Sequence, residues 1–177
     1  MIGKMTSMGG KGAARRLVDY LVYEKEINLS DKENLTLEDV RGELIYVQNL
    51  ALDFLEDGRI DTDYLAEQLE DNGSRNTKLK DYLWHQSFSF PIGENPSNEI
   101  FESISKDFAK EFGFEENQMM AVRHSDKEHA HFHILGNRIN INGKTTASDS
   151  YSFLRTGDFC RQMEIKYNLQ ITSNMKK

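Results

Sequence analysis

Four of the five histidines in this chain, His124, His129, His131 and His133, fall within ten residues, between segments that read as β-strands. Side chains two apart on a strand share a face, so His131 and His133 point together while Phe132 and Ile134 point away. On the preceding strand, Met119 and Ala121 should likewise face away from His124. The short polar connection between the two segments makes them a hairpin, with one face that packs and one that coordinates. A chain built around this pair must form an antiparallel sheet.

His131 and His133 lie about 6.7 Å apart along their strand, within reach of a single cation. A third ligand must come from the neighbouring strand, which ends at His124. Pairing His124 with either His129 or His131 keeps all four rings on one face, and both registers stay open. His124, His131 and His133 form the most compact trio. His129, at the turn edge, is a fourth ligand, a donor to a ligand or an acid–base group. Asp126 and Glu128 either orient an imidazole or serve as plain turn residues. Three neutral imidazoles leave positions open for substrate or water, as in catalytic sites.

The flanking sequence supplies the remaining elements. A strand is expected over Met1–Thr6, then a glycine-containing loop and a helix from Ala13 to Lys25. Further strands are expected at Glu43–Leu50 and Tyr82–Phe90, the latter closed by Pro91, with helices near Thr62–Glu70 and from Asn98 to Phe112. Beyond the histidines, Asn137–Ile141 runs into the turn signal Asn142-Gly143, and a last helix covers Ser152–Tyr167. This order predicts an α+β domain with an antiparallel central sheet and helices mainly on one face.

The formal charge is −7, but it is unevenly distributed. Residues 24–71 hold 15 acids against 4 bases, whereas the remainder holds 14 acids and 18 bases. A nucleic-acid partner is therefore compatible with the part that carries the histidines, where Lys4, Lys11, Arg15, Arg16, Arg123, Lys127, Arg138 and Lys144 lie. The acidic segment is expected to face away from DNA or to contact a protein. One cysteine, Cys160, excludes an internal disulfide framework. With no secretory leader pattern and no run of roughly 20 apolar residues, the expected location is cytoplasmic, without membrane insertion.

The run His124-x-Asp126-x-x-His129-x-His131-x-His133, followed by Asn137-Arg138 and preceded by a strand ending Ser-Phe-Ser-Phe-Pro, resembles the relaxase or mobilisation nuclease family. The N-terminal Met-Ile-Gly-Lys and the pair Tyr20-Leu21 in the first helix extend the resemblance to nearly the whole chain. These are the three-histidine HUH endonucleases. The resemblance implies site- and strand-specific nicking and rejoining of DNA at a transfer origin, initiating conjugative mobilisation of a plasmid or integrative element. It also implies a 5′-phosphotyrosyl intermediate on Tyr20, with Tyr23 as the rival nucleophile, and a divalent ion held by His124, His131 and His133. Mg or Mn is the expected ion in function, with Zn, Ni or Co as further candidates. Lys11, Arg15, Arg16, Arg123 and Arg138 are the expected phosphate contacts, and His129 and Asp126 the expected auxiliary groups. His85 shares strand parity with Ser87 and Ser89 and reads first as a structural strand histidine, with a role as a base at the site as the alternative. Single-stranded DNA, accessory mobilisation proteins and the coupling protein of the transfer apparatus are the implied partners.

Two features depart from the family pattern: Ala130 stands where relatives often carry proline, and the acidic stretch is long for a DNA binder. The chain reads as a single nuclease domain over 1–177, an N-terminal fragment of a longer protein. The alternatives are an HUH replication initiator or transposase, a hydrolase that uses the same histidines to activate water, and a non-catalytic module binding single strands on an aromatic sheet.

Overall fold

Alternation along the strands divides the apolar residues of this chain between two faces, and each face acquires its own helices. The computed structural model describes residues 1–172. The elements run β1 (Ile2–Met8), α1 (Ala13–Tyr23), two short 3₁₀ turns (Leu29–Asn34 and Leu37–Asp39), β2 (Glu43–Gln48), α2 (Thr62–Gly73), β3 (Leu83–Ser89), α3 (Asn98–Phe112), β4 (Met119–His124), β5 (His131–Asn137) and α4 (Ser152–Lys166). The five strands form one sheet in the order β1-β3-β5-β4-β2, with every neighbouring pair antiparallel.

The α+β class and the antiparallel sheet agree with the sequence. The helices, however, are shared between the two faces rather than gathered mainly on one. Trp84, Phe88, Met119, Ala121, Phe132 and Ile134 point to one side and bury against Phe101, Ile104, Phe108 and Phe112 of α3 and Phe159 and Met163 of α4. Leu83, Met120, Val122 and Leu135 point to the other and bury against Leu17, Val18 and Leu21 of α1 and Leu65 and Leu69 of α2. The central strands are apolar on both faces, so leaving either face bare would expose a large apolar surface to water. At β2 a bulge between Leu44 and Tyr46 reverses the alternation, so Leu44 and Val47 join the α1/α2 core while Tyr46 joins the other.

Local signals set the helix ends. The Ser97 hydroxyl accepts the Ile100 amide at the start of α3, and an Asp61 carboxylate oxygen does the same for Tyr64 in α2. Gly113 ends α3 at φ 87°, where a Cβ would also lie 2.3 Å from the Thr146 carbonyl oxygen. The chain passes from β1 to α1 through Gly9, whose missing Cβ lets it run against the Lys80 carbonyl.

Several boundaries shift from expectation. Strand β1 runs on to Met8, helix α1 stops at Tyr23 because Glu24 turns left-handed, and α2 runs on to Gly73. Strand β5 begins at His131, so His129 lies in the turn. Beyond β5, Ile139 and Thr145 form a single bridge around the Asn142-Gly143 turn rather than a further strand. Among the described residues, no helix is long and apolar enough to cross a membrane.

The ring of Phe132 lies directly behind the histidines, on the opposite side of β5, stacked on Phe101 at 4.4 Å between centroids and tilted against Phe88 at 5.5 Å. Phe132→Ala removes a fully buried ring from the centre of this cluster and should cost about 3–5 kcal/mol, read as a lower midpoint in urea denaturation. A midpoint within error of wild type would mean that the aromatic cluster does not support the sheet.

Candidate metal centre and nucleophile

Strands β4 and β5 pair so that His124 lies opposite His131 and Val122 opposite His133. This settles the register left open by the sequence and places His124, His131 and His133 on the α1 side of the sheet. Their candidate ligand atoms all lie within 4.8 Å of one another. All three residues are buried.

The hydrogen bonds identify the nitrogens available to a cation. His124 Nε2 donates to the Leu21 carbonyl at 2.8 Å, leaving His124 Nδ1 buried without a partner. His133 Nδ1 meets His85 Nε2 at 2.8 Å, leaving His133 Nε2 likewise buried and unpartnered. Two orphaned nitrogens in one pocket are unusual, because buried polar atoms nearly always find partners. Burial lowers the pKa of His124, and holds His85 at about 4 and His133 at about 2, with neighbouring imidazoles adding to the effect at both. These rings are therefore neutral near pH 7 and keep a lone pair for a metal. The donor set fits a divalent cation.

His131 is held differently. Its Nε2 lies 2.9 Å from an Asp126 carboxylate oxygen and its Nδ1 3.3 Å from the His129 carbonyl. Asp126 thus contacts a candidate ligand, and both ring nitrogens of His131 face oxygen acceptors. The His129 ring lies 5.7 Å from that of His131 and outside the compact trio.

Tyr20 stands over the cluster. Its ring meets those of His124, His133 and His85 edge-on, at centroid distances of 5.6, 5.9 and 6.2 Å. Its phenol pKa is raised, first by burial and then by the negative charges of Asp126 and Glu24. Tyr23 is placed elsewhere: it is buried with Val22, Ile27 and Leu35, and its hydroxyl accepts from Arg59 Nη1 at 3.1 Å. Although three residues apart on one helix, Tyr23 and Tyr20 pack into different apolar clusters.

The basic residues divide. Arg16 lies one helical turn before Tyr20, exposed, with Nη1 donating to the Lys11 carbonyl at 3.2 Å, and Lys11 is exposed beside it. Arg15 turns to buried Asp19, which Lys32 also pairs at 3.0 Å. Arg123 and Arg138 leave the expected phosphate-binding set. Arg123 lies on the opposite face, its guanidinium 4.5 Å from the Phe101 ring and bonded to Asn95, Asn98 and the Pro96 carbonyl. Arg138 is buried and ties Ala147, Asp81 and Asp149 together. In both, backbone and side-chain acceptors take the donors that a phosphate would need.

One residue near the site escaped the sequence reading. Glu24 accepts the Ser125 amide at 2.8 Å, joining the end of α1 to the turn after His124, and its charge reaches both Tyr20 and His124. In the sequence it is one acid among many. Only the fold separates it from the rest.

The sequence matches the family described as Relaxase: MobA/VirD2-like, nuclease domain, over residues 25–169. It is 29% identical over 96 residues to Protein TraI of Escherichia coli, a stretch that is 54% of this chain and 13% of TraI, so the chain spans a small part of that relative. A solved structure reported as "Molecular Basis of Vancomycin Resistance Transfer in Staphylococcus aureus" superposes with a TM-score of 0.56 at 14% identity, covering 99% of this chain and 98% of that one. That likeness is one of fold. The family match starts after Tyr20, so the placement of this residue rests on the geometry above. By a match over well more than half its length, the chain belongs to the relaxase family, as a nuclease domain of the MobA/VirD2-like type.

Proposed function

We propose that this domain nicks and rejoins one strand of DNA at a transfer origin, with Tyr20 as the nucleophile and a divalent cation held by His124, His131 and His133. The observation that carries this reading is the edge-on contact of a phenol with two of three clustered imidazoles, His124 and His133, both of which present orphaned nitrogens. Membership of the relaxase family supports it over a replication initiator or transposase. The tyrosine above the cluster favours transesterification over simple hydrolysis.

In this reaction the Tyr20 oxygen attacks the scissile phosphorus and the bond to the 3′ oxygen breaks. The 5′ phosphate is left esterified to Tyr20. The phenol gives up its proton and the departing 3′ oxygen takes one, so the step is balanced and reversible. Rejoining is the same exchange run backwards. A bound cation supplies Lewis-acid polarisation of the phosphate and offsets its charge.

The protein contributes position and electrostatics. Burial, Asp126 and Glu24 raise the Tyr20 phenol pKa above its ordinary value. A cation bound beside the phenol would oppose that shift and favour the phenolate. Arg16 and Lys11 lie where they can receive flanking phosphates, a contact that positions the strand without reading its bases. Mg or Mn is the ion we assign in function. Accessory mobilisation proteins and a coupling protein are the partners this reading implies.

A labelled single-stranded oligonucleotide carrying the nick site, incubated with protein and Mn²⁺, should give a covalent protein–DNA adduct. Tyr20→Phe should abolish the adduct while leaving binding intact, and Tyr23→Phe should retain it. An adduct that persists in Tyr20→Phe and disappears in Tyr23→Phe would overturn the assignment. His131→Ala should lower metal affinity and cleavage together, and chelation of the wild type should stop adduct formation reversibly; cleavage that survives chelation rules out a metal-dependent reaction. Binding itself should weaken steeply with salt as phosphate contacts displace counterions.

A further inference from the structure

We propose that His85 is a positioning residue for the histidine cluster: its Nε2 accepts the Nδ1–H of His133 and so turns the His133 Nε2 lone pair toward the cation. The inference rests on the metal reading above and goes beyond it, to a residue on a strand outside the histidine hairpin. Strand β3 pairs with β5 so that His85 lies opposite Leu135 and Ser87 opposite His133. His85 is therefore a diagonal neighbour of His133, within reach of a long side chain on the same face. The two nitrogens are 2.8 Å apart, and the rings stack at 5.0 Å with 29° between their planes.

The tautomer follows from proton counting. One hydrogen must lie between His85 Nε2 and His133 Nδ1. If His85 donated it, neutral His133 would carry its own proton on Nε2, a buried donor with no acceptor and no lone pair for a cation. If His133 donates it, His133 Nε2 becomes a free lone pair facing the pocket. Only the second arrangement gives the orphaned nitrogen a use.

The same logic operates at His124, where the Leu21 carbonyl takes the Nε2–H and leaves Nδ1 free. Two of the three ligands are thus oriented from behind, one by a backbone carbonyl and one by an imidazole. Ligand histidines commonly donate to a carboxylate, a carbonyl or water. A neutral imidazole in that role fixes the ring without adding negative charge, which keeps the site electropositive toward a phosphate. His85 also meets the edge of the Tyr20 ring, so one side chain borders both the ligand and the nucleophile.

Two substitutions separate hydrogen bonding from packing. His85→Phe keeps an aromatic ring but removes the acceptor; His85→Gln loses the ring but keeps an acceptor near the position of Nε2. The full chain is titrated with Co²⁺, following affinity by calorimetry and ligand geometry by visible absorption, with circular dichroism to verify folding. His85→Phe should bind about 10–100-fold more weakly with an altered spectrum, and His85→Gln should stay within a few-fold of wild type. The reverse order, or wild-type binding by both variants, would show that His85 only packs. If His85→Phe fails to fold, His85→Leu takes its place with the same expectation. Wild-type protein that takes up no Co²⁺ would overturn the metal reading itself, a result distinct from loss of the His85 role alone.

Discussion

The hydrogen bond from His124 Nε2 to the Leu21 carbonyl joins the two halves of the site. The last carbonyls of an α-helix lack partners within the helix, and Leu21 lies in the final turn of α1, next to Tyr20. A strand histidine fills that vacancy. In doing so it pins α1 to the sheet, aims its own Nδ1 at the pocket and sets Tyr20 over the imidazoles. Glu24 adds a second tie by accepting the Ser125 amide. The backbone between Leu21 and Arg41-Gly42 is equally close: Val22 accepts both of their amides, and a Cβ on Gly42 would lie 2.2 Å from the Leu21 carbonyl oxygen.

Because the sheet is covered on both sides, its two faces have different duties. The α3/α4 face is almost purely aromatic and aliphatic, and it makes β5 a rigid platform. The α1/α2 face is apolar where α1 and α2 cover it, but becomes polar toward β1 and β3, where His85, Ser87 and Ser89 accompany His131 and His133. The site therefore lies at the margin of a core, where burial lowers the pKa of His85, His124 and His133. Arg123 and Arg138, chemically suited to phosphate, serve this platform by binding loops to it.

The acidic segment is part of the domain. It supplies the edge strand β2, Lys32 that pairs buried Asp19 of α1, and the first turns of α2, and the family match includes it from residue 25 onward. Its charge is compatible with a nuclease because exposed Arg16 and Lys11 come from the N-terminal part of α1 and the loop before it, outside the acidic segment.

The sequence by itself determined which residues share a strand face, because alternation is a local property of the backbone: His131 and His133 had to point together, with Phe132 and Ile134 behind them. It also marked the antiparallel hairpin and the trio of candidate ligands. Periodicity cannot place distant elements, so it left open the pairing of His124 with His131 and assigned the helices mainly to one face. Nor could composition tell an arginine bound for phosphate from one bound for backbone. Tertiary structure decided those points, together with the contact between His85 and His133 and the different surroundings of Tyr20 and Tyr23. Each depends on which surfaces meet when two cores close on opposite sides of one sheet, a long-range packing outcome that no local pattern encodes.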